Sequence, residues 1–148
     1  MKLLPDQLFV QATETHRLEN FSICNVPMES RKCILIVDDD ADILLFLRDR
    51  LNALGYDVLT ATNGKEGLDF LQYQSVAGVL LDLYMPVMGG IFMLEQLAQS
   101  STIPPVIVMS DTEHRSELQL AIVKGAMDFL IKPIAQDQLT SKCARLFH

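Results

Sequence analysis

Two apolar runs in this chain end in carboxylates, and its chemistry is best sought there. Ile34-Leu35-Ile36-Val37 runs into Asp38-Asp39-Asp40, and Val79-Leu80-Leu81 runs into Asp82, followed by Leu83-Tyr84-Met85-Pro86-Val87-Met88-Gly89-Gly90. An apolar run stopped by an acid, then by proline and glycine, reads as a buried strand delivering a carboxylate to its C-terminal edge. In open α/β sheets, ligands bind outside the carboxyl ends of the strands. Two such strands could place Asp38, Asp39 and Asp82 in one cleft. Crowded carboxylates repel, and a hard cation is the usual remedy. Mg²⁺ takes oxygen ligands in octahedral geometry and usually sits beside phosphate groups.

Two further strand ends add to the set. Val106-Ile107-Val108-Met109 leads into the hydroxyl of Ser110, and Asp128-Phe129-Leu130-Ile131 leads into Lys132-Pro133. Acids, a metal, a hydroxyl and an ammonium around one carboxylate suit phosphoryl transfer, where catalysis is mostly positioning and charge neutralisation. Five elements in this order carry a family resemblance. They are the pair Asp38-Asp39, Asp82 in Leu-Leu-Asp-x-x-Met-Pro-x-Met-x-Gly, Ser110, and Gly125-Ala126-x-Asp128-Phe129 with Lys132-Pro133. With them, the chain from about Lys32 onward resembles the receiver domain of bacterial two-component response regulators.

The resemblance implies a role for each residue. Asp82 would be the phosphoacceptor, attacking the phosphoryl group of a phosphohistidine. Asp39 and Asp82 would hold Mg²⁺ directly with the Tyr84 backbone carbonyl, and Asp38 largely through water. Lys132 would pair with one phosphoryl oxygen and Ser110 would donate a hydrogen bond to another. Pro133 would follow a cis peptide bond. Phe129 matches an aromatic switch position, although a phenylalanine there could equally be plain core. Tyr84 and Thr112, two residues beyond Asp82 and Ser110, would tune water access to the acyl phosphate. Asp111 departs from the family, which usually has a small residue there. Its charge could weaken reaction with anionic donors, or it could turn outward and cap the fourth helix. The implied partners are a histidine kinase or histidine phosphotransfer protein upstream, and a protein target downstream, met by the face of the fourth helix, fifth strand and fifth helix. A homodimer on phosphorylation is a further possibility.

The elements that must position these residues alternate along the chain, as βαβ units do. Strands are expected at Cys33 to Val37, Tyr56 to Thr60, Val79 to Leu81, Val106 to Met109 and Phe129 to Ile131. Helices are expected from about Ala41 to Leu54, Asn63 to Gln72, Gly90 to Gln99, Thr112 to Lys124 and Gln136 to Leu146. In the first helix, Ile43, Phe46, Leu47, Leu51 and Leu54 recur at three- and four-residue steps, which leaves Leu44 and Leu45 off the buried stripe. Leu120 and Val123 fall off it on the fourth. Gly55 suits a left-handed helix end and Asn63 an N-cap, while Asp40 and Asp42 favour the positive end of the first helix. Gly89-Gly90 is a turn into the third helix, with no nucleotide fingerprint. The predicted fold is α/β: a flavodoxin-like, doubly wound, five-stranded parallel sheet of order 2-1-3-4-5 with helices on both faces. Strands buried on both sides explain the continuous Val, Ile and Leu.

Composition sets the outer bounds. At 148 residues the chain suits one domain, 32–148, behind an N-terminal extension, 1–31, that shows no sustained period. That extension is either genuine or the product of a start assigned ahead of Met28. A net charge of −7 argues against direct nucleic-acid binding through a phosphate-neutralising patch. Cys24, Cys33 and Cys143 lack metal-ligand spacing and leave one thiol over in any disulfide scheme, which reads as reduced and cytoplasmic. No apolar stretch reaches the ~18 residues of a membrane span. His16, His114 and His148 form no ligand set, and His114 reads as a solvated first-turn residue.

The role expected is signalling rather than substrate turnover, by a regulator that stands alone or relays phosphate. An aspartyl phosphohydrolase is the enzymatic alternative, since Asp38-Asp39-Asp40 contains Asp-x-Asp. That family wants Thr or Val two residues further on, where this chain has Asp42, and needs more chain for a cap. A binding module whose phosphorylation is vestigial is the third reading.

Overall fold

The computed structural model describes residues 31–111 and 114–148. Apart from Arg31, the expected extension lies outside the described residues, as does Thr112. Five strands alternate with five helices: β1 (Cys33–Val37), α1 (Ala41–Ala53), β2 (Asp57–Ala61), α2 (Gly64–Tyr73), β3 (Gly78–Asp82), α3 (Gly90–Leu97), β4 (Val106–Ser110), α4 (Arg115–Val123), β5 (Asp128–Ile131) and α5 (Gln136–Leu146). All pairings are parallel and the strand order is β2-β1-β3-β4-β5, the expected flavodoxin-like sheet.

Successive strand residues point to opposite faces, so the sheet divides its apolar side chains between two cores. Leu35, Val37, Val79, Leu81, Val106 and Val108 meet Met93, Leu94 and Leu97 of α3 and Leu118 and Ala121 of α4. Ile34, Ile36, Leu80, Ile107 and Met109 meet Leu44, Leu47 and Leu51 of α1 and Leu139 and Cys143 of α5. Burial on both sides is why these strands read as unbroken apolar runs.

Local signals set the helix ends. Asp40 Oδ1 accepts hydrogen bonds from the Asp42 and Ile43 amides at 2.9 and 3.4 Å, which caps α1. Asn63 accepts from the Glu66 amide at 2.9 Å, and Glu66 reaches back to the Thr62 amide at 2.6 Å. Gly55 takes the expected positive φ, 98°.

Three expectations need correction. Leu44 belongs to the core, whereas Phe46 lies on the outer side with the Arg50 guanidinium 4.7 Å from its ring centroid. The stripe of α1 is centred on Leu44, Leu47 and Leu51, one step round from the one read in sequence. Second, α4 begins at Arg115 rather than Thr112, with His114 at the N-cap. Third, strands β3 and β4 run one residue further and take Asp82 and Ser110 into the sheet.

Phe147 closes the lower core with its ring buried over Gly78, where any Cβ would collide with it. Phe147→Ala is expected to lower the unfolding free energy by about 3 to 5 kcal/mol, the usual cost of emptying a phenylalanine site. Urea denaturation measures this; a loss below about 1 kcal/mol would mean the site collapses freely or the ring is not seated there.

Candidate functional site

Strand order alone gathers the expected residues. Asp38 follows the end of β1, Asp82 ends β3, Ser110 ends β4 and Lys132 follows β5, so four adjacent strands present them along one C-terminal edge. Backbone hydrogen bonds carry the register past the strand ends. The Asp38 amide donates to Ala61 O at 3.0 Å, the Leu83 amide to Met109 O at 3.2 Å and the Lys132 amide to Ser110 O at 2.9 Å. Gly90 lets α3 start directly against this edge, because a Cβ there would lie 2.5 Å from the Asp82 carbonyl oxygen. The loop between them turns tightly: Val87 has φ 69° and the Met88 amide bonds Pro86 O at 2.7 Å, a γ-turn that strains a β-branched residue.

The side chains converge on one ammonium. Lys132 Nζ donates to Asp38 Oδ2 at 2.9 Å and to Asp82 Oδ1 at 3.2 Å. The second Asp38 oxygen accepts the Asp40 amide at 2.9 Å. Asp38 and Asp82 are buried, while Asp39 stands at the exposed rim. One oxygen from each of the three carboxylates lies within 4.8 Å of the others. At that spacing each carboxylate pair repels by about 3 kcal/mol for an effective dielectric near 20, and Lys132 offsets only part of it. Burial, then the Asp38 charge, with a smaller push from Asp39, raises the Asp82 carboxyl to about 6 despite the opposing pull of Lys132. For Lys132, burial favours the neutral form, but its bonds and charges with Asp38 and Asp82 win and hold it above its ordinary value.

Three converging hard oxygen donors and too little positive charge are what a divalent cation such as Mg²⁺ requires, so the residues present fit one. The Ser110 hydroxyl is also buried and has no hydrogen-bond partner among the described residues. A buried, unpartnered hydroxyl costs roughly 1–3 kcal/mol, which points to a ligand acceptor at this edge.

The remaining expected residues are placed as follows. The Lys132–Pro133 bond is cis. Phe129 is not core: 38% of it is exposed, it edges a cavity of about 320 Å³ lined also by Arg115, Leu118, Gln119, Ile122 and Ile131, and Lys142 Nζ sits 4.9 Å from its ring centroid. Leu120 and Val123 on α4 are exposed, as expected, and so is Leu45 on α1. Asp111 is exposed, and the N-cap of α4 falls to His114, which makes no side-chain cap bond. Sequence reasoning missed His114. Its ring packs on Tyr84 with centroids 4.3 Å apart, and its Nδ1 is buried with no partner among the described residues, so the ring is not fully solvated. Nothing in the linear spacing of positions 84 and 114 signals that contact. Cys33 and Cys143 are free thiols, and burial pushes Cys143 up to about 12. Among the described residues no helix is long and apolar enough to cross a membrane.

Sheet order and connectivity put the chain in the flavodoxin-like class. The chain belongs to the response regulator receiver domain family, whose model matches residues 34–144. It is 32% identical over 109 residues to the probable transcriptional regulator ycf27 of Porphyridium aerugineum, covering 74% of this chain and 45% of that protein. It is 30% identical over 111 residues to the alkaline phosphatase synthesis transcriptional regulatory protein PhoP of Bacillus subtilis, covering 75% and 46%. The chain thus spans about half the length of the curated relatives it matches. The solved receiver domain of the Francisella response regulator 1452 superposes with a TM-score of 0.74 at 27% identity, over 79% of this chain and 97% of that one.

The raised Asp82 carboxyl has a stability consequence. Its folded value, about 6, exceeds the ordinary aspartate value of 3.8, so the folded state is penalised as pH rises through that window and unpenalised below it. The full penalty above the window is up to about 3 kcal/mol at 1.36 kcal/mol per unit. In the metal-free protein, Asp82→Asn is therefore expected to melt higher than wild type at pH 7.5, with the gap closing toward pH 4.5. Thermal melts in a chelator measure this; equal melting temperatures at pH 7.5 would contradict the crowding.

Proposed function

We propose that this chain is a phosphorylation-dependent signalling receiver, with residues 32–148 as its working unit and Asp82 as its phosphoacceptor. The Asp82 carboxylate attacks the phosphorus of a phosphohistidine, the N–P bond breaks, and the imidazole leaves as an acyl phosphate forms. Asp39, Asp82 and the Tyr84 backbone carbonyl would hold Mg²⁺. Asp38 acts through water, which agrees with both its oxygens being engaged by Lys132 and the Asp40 amide. The ion, when bound, neutralises charge on the transferred group. Lys132 shifts from the carboxylates to a phosphoryl oxygen, and the unpartnered Ser110 hydroxyl donates to another. Lys132 Nζ between Asp38 and Asp82, beside that unsatisfied hydroxyl, is the observation that carries this reading.

The donor is a histidine kinase or histidine phosphotransfer protein. The response passes from Ser110 to Phe129, whose exposed ring beside a cavity has room to move. The α4-β5-α5 face then changes, and its exposed Leu120, Val123 and Met127 meet a protein target or a second copy. The chemistry serves signalling in the cytoplasm, without substrate turnover, direct nucleic-acid contact or membrane insertion. A phosphohydrolase reading loses the convergence of four strand ends on Asp82.

Incubation with radiolabelled acetyl phosphate tests the assignment. Hydroxylamine-labile label is expected with Mg²⁺, little with a chelator, and none in Asp82→Asn. Undiminished labelling of Asp82→Asn would move the phosphate elsewhere, and steady release of phosphate from a generic monoester would favour a hydrolase.

A further inference from the structure

We propose that His114 and Glu117 are positioning residues for this site: they dock the Tyr84 ring on the first turn of α4, keeping it at the mouth of the Asp82 pocket and slowing hydrolysis of the acyl phosphate. The inference rests on Asp82 being the phosphoacceptor, and it assigns work to two residues that no motif match singles out.

Tyr84 stands two residues beyond Asp82, in the loop between β3 and α3, and 45% of it is exposed. A half-exposed loop tyrosine would ordinarily sample several rotamers. Here the start of α4 packs against it. Its ring lies against His114, with centroids 4.3 Å apart and planes tilted by 41°. The Glu117 carboxylate, in the first turn of the same helix, is close enough to raise the Tyr84 hydroxyl above its ordinary value, after the larger effect of burial. His114 sits there with Nδ1 buried and with no partner among the described residues, a cost the fold sustains to keep the ring in place. The contact also spans the two loops that matter, one leaving Asp82 and one leaving Ser110. Their roots are joined by the Leu83 amide to Met109 O bond.

Hydrolysis needs a water oxygen to bond phosphorus as the Asp82 Oδ–P bond breaks. The electron pair returns to the carboxylate and a proton passes to solvent. A ring held two residues beyond Asp82 would stand beside that water's approach. Removing His114 frees the ring and opens the approach.

The test uses the full chain, phosphorylated with acetyl phosphate and Mg²⁺, with decay followed after donor removal. His114→Ala is expected to lose phosphate about fivefold faster, equivalent to about 1 kcal/mol in the barrier, while His114→Phe, which keeps the stacking, stays within about twofold of wild type. Glu117→Ala is expected to accelerate decay as well, and it stands in if His114→Ala folds poorly. His114→Ala added to Tyr84→Ala is expected to change nothing further, because His114 acts through that ring. Unchanged decay in His114→Ala, no rescue by Phe, or additive effects in the double variant would overturn the proposal. Absence of label on wild type would overturn the phosphoacceptor reading, and the inference falls with it.

Discussion

Three carboxylates crowd round a single ammonium at the C-terminal edge of the sheet, and their charge does not balance. Asp38 and Asp82 share Lys132, and Asp39 stands within reach of both. No arrangement of these four groups alone balances the charge. The buried Asp82 carries the imbalance as a raised carboxyl, and the pocket as an affinity for further positive charge. A divalent cation relieves the first problem. A phosphoryl group with its cation would satisfy Lys132 and the Ser110 hydroxyl together, so the site is built for a ligand more than for its own stability.

The scaffold's part is to hold that imbalance in place. Parallel pairing sets β1, β3, β4 and β5 side by side with their carboxyl ends on one edge, so residues separated by up to 94 positions meet without a long loop. Two apolar cores, one on each face, fix the sheet against movement. The loop after Asp82 is less regular, with a γ-turn at Val87 before α3. Motion that answers the site's charge state is expected in that loop and in Phe129 beside its cavity, with the sheet as fixed reference.

The site was legible in the sequence for a physical reason. Each residue sits where an apolar run stops, and such a stop marks the same edge of a parallel sheet every time. Asp38, Asp82, Ser110 and Lys132 could be placed together from that rule alone. Side-chain facing on an amphipathic helix was less secure: α1 carries apolar residues almost all round, so Leu44 and Phe46 could exchange places in the reading until the two faces of the sheet were known. The start of α4 was misplaced because Thr112 looks like a first-turn residue and His114 does not look like an N-cap. The Tyr84–His114 contact was invisible, since it depends on how the loop after Asp82 meets the N-cap of α4 rather than on any periodicity.

The charge account is tested most directly by titrating the Asp82 carboxyl, followed by ¹³C NMR against Asp82→Asn as the assignment control, with and without Mg²⁺. Without metal, the midpoint is expected near 6. With saturating Mg²⁺ it is expected to fall well below that value, because the cation favours the charged form. A metal-free midpoint in the ordinary aspartate range, or a midpoint that ignores Mg²⁺, would contradict the crowding of Asp38, Asp39 and Asp82 on which the site is argued to work.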